Sequence, residues 1–297
     1  MHLGEALAVS LVSLSVLTLV RSKPIISSDD VIDLSHPMDS RSLGYPGIKP
    51  FQRVQIANGS LVLWGHNFTW IENGNYESGE HVGTHMDSPA HFIYGGWHVD
   101  EIPTYRLIGP AVKISVRTQA ATNKDYSLTT NDVLAWESKH GRIPDGAILF
   151  LESGTSRFYD EGMKKYAGAD QFMDENNNVL FHFPGFSSEV ADFLVKHRRI
   201  VGVCVDAPSF DIGPSTTLPV HHIFLGNKIW AIENVADMTA LPTTGSIATV
   251  YPMKIRGGSG APTRVVAIKT SLHISAAQRS HLEGFLIASA IVFWFNM

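Results

Sequence analysis

Three histidines and one carboxylate fall within eleven residues, His81-Val82-Gly83-Thr84-His85-Met86-Asp87-Ser88-Pro89-Ala90-His91. Pro89 excludes a helix interior here, and Gly83 relaxes the backbone where close approach is needed. On an extended segment His85 and Asp87 point the same way, because side chains alternate with period two. A turn at Gly83 then brings His81 round as a third donor. Imidazole nitrogen and carboxylate oxygen form a borderline donor set, suited to Zn²⁺, Mn²⁺ or Fe²⁺. The competing reading is a histidine-rich surface turn. No other nucleophilic machinery competes with a metal site: G-x-S-x-G is absent. The one cysteine, Cys204, lies in Ile200-Val201-Gly202-Val203-Cys204-Val205, which reads as a buried strand with a small hydrophobe in it.

The elements that must position this cluster read as one continuous α/β domain. Val31-Ile32-Asp33-Leu34, Ser60-Leu61-Val62-Leu63-Trp64, Ala111-Val112-Lys113-Ile114-Ser115-Val116, Ala147-Ile148-Leu149-Phe150-Leu151 and the Cys204 segment have strand character. All are short apolar runs, rich in β-branched residues and bounded by Gly, Pro or polar turns. Ile247-Ala248-Thr249-Val250 and Val265-Val266-Ala267-Ile268 follow as late strands, joined across Gly257-Gly258-Ser259-Gly260. Thr130 is the expected cap of a helix that Gly141 ends, and Ser187 or Ser188 caps a second one through Val190, Phe193 and Leu194. Ser153-Gly154-Thr155-Ser156 reads as a strand-end turn, with the border of a pocket as the alternative.

Composition sets the class. The chain has 297 residues, 44% hydrophobic and 17% charged, which is ordinary for a globular protein. A formal net charge of -5 supplies no basic footprint for nucleic acid. Residues 6–20 form an apolar run too short to span a bilayer comfortably, and Val20-Arg21-Ser22 offers a cleavage site. Residues 1–22 therefore read as a secretory signal, against the alternative of an uncleaved anchor. The sequons at Asn58 (Asn58-Gly59-Ser60) and Asn67 (Asn67-Phe68-Thr69) agree with secretion. At the other end, small residues Ser275, Ala276 and Ala277 precede a polar spacer, 278–284, and an apolar run, 285–295. That order is the pattern of a removed lipid-anchor signal in 275–297, with a buried terminal helix as the alternative. Residues 23–274 are left for the α/β domain.

Residues 81–91 match H-x-G-T-H-x-D-x-P-x-H at all seven fixed positions, and on that motif the chain resembles the cyclase-like metal-dependent hydrolases, which include bacterial kynurenine formamidase and isatin hydrolase. Ile32-Asp33-Leu34-Ser35-His36-Pro37, Phe183-Pro184-Gly185-Phe186-Ser187 and Val205-Asp206-Ala207-Pro208-Ser209-Phe210-Asp211 resemble further family blocks. So does 221–234, where a histidine precedes a Glu-Asn pair by twelve positions. The resemblance implies a mixed α/β fold with a barrel-like β-sheet and flanking helices, of the swivelling β/β/α type, assembled as a homodimer or higher homo-oligomer. It implies His81, His85 and Asp87 as ligands of a first divalent metal, zinc or manganese. Asp87, His221 and Glu233 match the ligands of a second, Asp87 bridging, and the spacing favours His221 over the adjacent His222. His91 matches the proton donor and acceptor.

The activity implied is hydrolysis of an amide C–N bond, with an aryl formamide such as N-formylkynurenine as substrate. A cyclic amide or lactone, as in isatin hydrolase, is the alternative, and an inactive secreted binding protein of the same fold is another. The formamidases carry a substrate-contacting tryptophan before a Pro-Gly pair. Here that stretch is Tyr45-Pro46-Gly47, whose tyrosine still stacks on a ring but differs in size and hydroxyl.

Overall fold

A computed structural model describes residues 26–270. The signal-like segment 1–22 and the tail 275–297 lie outside the described residues. Twelve strands are described, in chain order β1 Val31–Asp33, β2 Gln52–Leu63, β3 His66–Glu77, β4 His85–Asp87, β5 Ile108–Ser115, β6 Ser127–Leu128, β7 Ile148–Glu152, β8 Gly185–Phe186, β9 Gly202–Val205, β10 Trp230–Glu233, β11 Ser246–Pro252 and β12 Gly260–Lys269. The helices are α1 Arg117–Thr122, α2 Thr130–His140, α3 Met163–Ala167, α4 Ser188–His197 and α5 Pro219–Gly226.

The main sheet runs β1-β12-β11-β5-β7-β9-β10-β4, and β4 returns to pair with β12. The sheet therefore closes on itself, the barrel-like architecture expected, and only β1 hangs outside the ring. β5, β7, β9 and β10 are parallel neighbours, whereas β4 is antiparallel to both β10 and β12. β7, β9 and β10 are buried along their whole length, which is why they read as continuous apolar runs. Alternation then divides their residues between two cores. Leu149, Leu151, Val203, Val205 and Ala231 face outward onto Val133, Trp136, Val190, Leu194 and Phe224 of the helices. Ile148, Phe150, Cys204, Trp230 and Ile232 fill the interior with Met86, Val250 and Val265. Cys204 is fully buried there, and burial alone raises its thiol pKa well above the ordinary value. Residues 32–268 form one compact unit; of a second unit only 26–31 and 269–270 are described, where Lys269 Nζ donates to Asp29 O at 2.9 Å.

Several local expectations need correction. α2 is capped by Thr129 rather than Thr130. Thr129 Oγ1 accepts from Asp132 N at 3.2 Å, while the Asp132 carboxylate accepts from Thr129 N and Oγ1, a reciprocal box that Thr130 cannot form. Ser187, not Ser188, caps α4 through Val190 N. The strand expected at 60–64 is the exposed far end of a longer strand, β2, which begins at Gln52 and ends at Leu63. Its Trp64 lies in the turn with Gly65, at φ 51 and 79, the left-handed pair that a two-residue hairpin needs. β3 was not foreseen: its alternation is confined to Asn67-Phe68-Thr69-Trp70, and the polar run Glu72-Asn73-Gly74-Asn75 follows.

Candidate metal centre

Strand register creates the site. β4 is only three residues long, and it lies between β10, which sets Glu233 beside His85, and β12, which sets Gly260 beside Asp87. Gly83, at φ 68, turns the chain so that His81 comes back over Asp87; a side chain there would strain an L-residue. Gly260 leaves room for that ring, because a Cβ would lie within 2.4 Å of His81 Cε1. From the helix side, α5 begins with Pro219 and carries His221 inward. The Asp211 carboxylate accepts from Val220 N (3.1 Å) and His221 N (3.0 Å), satisfying donors that the helix leaves free at its N-terminus.

Five donor groups thus converge. His81 Nδ1 lies 2.7 Å from Asp87 Oδ1, and His85 Nε2 lies 3.3 Å from both Asp87 Oδ1 and Glu233 Oε2. His221 Nε2 is 3.5 Å from Asp87 Oδ2 and from Glu233 Oε1. They form two overlapping triads, His81/His85/Asp87 and Asp87/His221/Glu233, the donor atoms of each within 4.8 Å of one another. Metal–ligand bonds of about 2.0–2.2 Å place neighbouring ligand atoms roughly 3–3.6 Å apart, close to these separations. The residues fit a divalent metal, and Asp87 is the carboxylate common to both triads.

The outer hydrogen bonds decide which nitrogen each imidazole turns inward. His85 Nδ1 donates to Gly83 O at 2.9 Å, and His221 Nδ1 donates to Asp211 Oδ2 at 2.7 Å. Ser259 Oγ gives its proton to Glu80 Oε2 at 2.7 Å and so accepts from His81 Nε2 at 3.0 Å. All three rings therefore turn their other nitrogen toward Asp87 and Glu233, the orientation that metal-binding histidines require. Asn234 ties the two ligand segments together: its Nδ2 donates to Gly83 O at 2.9 Å, and its carbonyl accepts from Thr84 Oγ1 at 2.6 Å. Phe210 stacks on the His221 ring at 3.7 Å.

Electrostatics point the same way. Burial opposes charge on His85, but the Asp87 and Glu233 carboxylates outweigh it and push its pKa up to about 10. Burial also opposes charge on Asp87, yet His221, His81 and His85 hold it well below the usual carboxylate range. The site is built to bind positive charge, and a dication competes with protons for the same nitrogens.

His91 differs from these three. Its ring stacks on His81 at 3.9 Å, and its Nε2 lies 3.9 Å from Asp87 Oδ2, beyond a hydrogen bond. Burial lowers its pKa, Asp87 opposing, which favours the neutral ring. It faces a cavity of about 290 Å³ whose walls are Leu43, Tyr45, Pro46, Ile48, Phe92 and Met163. Tyr45 lines this cavity, edge-on to Phe181 at 5.4 Å. Burial first, then the Glu233 and Asp211 charges, raise its pKa and keep the phenol protonated. His222 takes no part and packs edge-on against Phe92. The turn at Ser153 to Ser156 does not line the cavity. It encloses Asp206, which accepts from Ser153 N, Ser153 Oγ and Gly154 N. Glu80 was not foreseen, and Ser259, Asn234 and Asp211 stood in quoted stretches without a role at the site. Glu80 and Asn234 are each adjacent to a ligand, which was the available signal.

A closed sheet carrying a His/Asp/Glu centre beside a free histidine defines a metal-dependent hydrolase. The particular family follows from comparison: residues 32–212 match the model of the Cyclase family, and the chain belongs to it. The match includes His81, His85, Asp87 and His91 and stops short of His221 and Glu233. The chain is 28% identical to isatin hydrolase of Roseibium aggregatum over 198 residues, 64% of this chain and 72% of the relative. It is 26% identical to kynurenine formamidase of Salinibacter ruber over 236 residues, covering 80% and 96%. Among solved structures, isatin hydrolase A from Labrenzia aggregata superposes with a TM-score of 0.71 at 28% identity, covering 87% of this chain and all (100%) of that one.

Proposed function

We propose that this chain hydrolyses the amide C–N bond of an aryl formamide such as N-formylkynurenine. The observation that carries the reading is the pair of donor triads sharing Asp87, with His91 beside them on the floor of an apolar-walled cavity. The chain is a hydrolase of C–N bonds other than peptide bonds, and the cation it takes is divalent, zinc or manganese, one or two per chain. When bound, such a cation acidifies water and polarises a carbonyl oxygen. His81, His85, Asp87, His221 and Glu233 hold it, and Asn234, Asp211 and Ser259 fix their rings and strand ends. His91 Nε2, neutral because it is buried, accepts a proton from the attacking water and returns it to the departing amine nitrogen. Tyr45 and Phe92 give an aromatic substrate apolar surface and keep bulk water away from the reacting carbon.

A second reading is a cyclic amide such as isatin, favoured by the likeness to isatin hydrolase A across the whole length of that chain. The inactive binding protein is disfavoured by the intact donor set and the free His91. A secreted or lipid-anchored setting is supported by the apolar runs at both ends of the sequence. Glycosylation is supported by the exposure of Asn58 and Asn67 on β2 and β3. Assembly as a homo-oligomer belongs to the same reading. The test is metal analysis of purified protein with rates on an aryl formamide and on isatin, before and after chelation. Turnover that survives complete metal removal, or metal-loaded protein that turns over neither compound, refutes the proposal.

A further inference from the structure

One wall of the cavity is built without regular structure. Between β1 and β2, residues 34–51 form neither a strand nor a helix. Leu43, Gly44, Tyr45, Pro46 and Ile48 of this stretch nevertheless line the cavity that holds the donor triads. A loop of this kind takes its position from tertiary bonds. Two of them come from the ligand segment: Gly83 N donates to Leu43 O at 2.7 Å, and Gly44 pairs with Val82 in a single antiparallel bridge. The approach is close, since a Cβ on Gly44 would lie 3.1 Å from His81 O. The third comes from elsewhere. Leu43 N donates to the Tyr159 hydroxyl at 3.0 Å.

Tyr159 is 4% exposed and sits in the 3-10 turn Thr155–Glu161, which follows β7. The loop clasps its ring as well as its hydroxyl. His36 stacks on that ring at 3.7 Å, with the two planes 8° apart. Both ends of 36–43 are therefore fixed on one side chain. Tyr166 meets Tyr159 edge-on at 5.4 Å and donates to Asn234 Oδ1 at 3.1 Å. The ring that holds the wall thus rests on a residue already tied to the ligand segments.

We propose that Tyr159 is a positioning residue that fixes the wall, Leu43 to Ile48, against the metal-ligand segment and so sets how tightly an aromatic substrate binds. The inference rests on the reading of this cavity as the substrate pocket. Leu43 is pinned through both of its backbone groups, between Gly83 and Tyr159. Without the hydroxyl, Leu43 N loses its protein acceptor, and the wall gains a reason to leave its place for water. Substrate then meets a correctly placed wall in only a fraction of the molecules, and apparent affinity falls by that fraction. The metal centre is spared. His85 and Asn234 keep their bonds to Gly83 O, and His221 keeps its bond to Asp211.

Steady-state kinetics of the metal-loaded full chain on formanilide, a simple aryl formamide, test this. Tyr159→Phe keeps the ring, its stack on His36 and its contact with Tyr166, and deletes the acceptor alone. It should raise KM about tenfold, the effect of one buried hydrogen bond, with kcat within about twofold and metal per chain unchanged. Hydrogen exchange read by mass spectrometry should quicken in 42–48 and stay as it was in 84–91. A KM that stays at the wild-type value overturns the proposal, and so does a fall in kcat with KM unmoved. Loss of metal together with activity would make Tyr159 a structural residue and overturns it too. If Tyr159→Phe does not fold, His36→Ala decides, because it frees the other end of the loop. KM should rise there with kcat unmoved, and an unaltered KM overturns the proposal. A wild type that hydrolyses neither formanilide nor isatin removes the substrate reading itself, and this inference with it.

Discussion

Replacing His91 by alanine should separate proton transfer from metal retention. The five candidate ligands are held by partners other than His91, and its Nε2 comes no closer than 3.9 Å to a carboxylate. Removing the ring therefore costs Asp87 no hydrogen bond and leaves the donor separations intact. What is lost is stacking on His81 by a side chain already 29% exposed, about 1 kcal/mol of stability. Turnover should fall by about 100- to 10,000-fold, or about 2.7–5.5 kcal/mol in the barrier. His85→Ala is the contrast: His85 is 2% exposed and lies 3.3 Å from two carboxylates, so metal and activity should go together. Metal per chain by elemental mass spectrometry and initial rates on an aryl formamide read both variants. A metal-free His91→Ala protein, or one losing less than about tenfold in rate, would falsify the proton-transfer role.

Glu233→Gln should lower the metal content from near two per chain to near one, with activity impaired; unchanged content removes the second site and leaves the first. Asn234→Gly keeps a backbone free to adopt φ 54 but deletes the bond to Gly83 O. Metal affinity by competition with a chromogenic chelator should drop about 10- to 100-fold, and unaltered affinity would mean that only the backbone matters there. Away from the site, Arg198 Nε and Nη2 donate to Glu137 at 2.6 and 2.5 Å, with side chains 6% and 11% exposed. Those bonds hold the Glu137 carboxyl below its ordinary 4.5, burial opposing. A depressed carboxylate contributes its stability above the unfolded value and loses it as pH falls through the folded one. Glu137→Ala should therefore destabilise by about 1–3 kcal/mol at pH 7, the range for hydrogen bonds to a charged, partly buried group. Its melting temperature should approach the wild type's below pH 4.5; a gap that persists in acid would refute the charge-pair account.

Much of the centre was legible because its residues are local. His81, Gly83, His85, Asp87 and His91 lie on one short stretch, where proline, glycine and strand alternation dictate direction without help from the rest of the chain. His221 and Glu233 were reached through resemblance and a spacing of twelve positions. Their meeting with Asp87 is a tertiary event, made by the antiparallel register of β4 on β10 and by the inward face of α5. Sequence pattern also located most of the buried strands, since a strand covered on both faces must be apolar at every position. It did not show that the sheet closes, because closure depends on three residues of β4 pairing on both sides. β3 was missed for the opposite reason: an exposed ribbon has no buried face to impose a period. The orientations of the three imidazoles were decided only in the folded chain, where Gly83 O, Asp211 and the Glu80–Ser259 pair each accept one N–H and turn the other ring nitrogen inward.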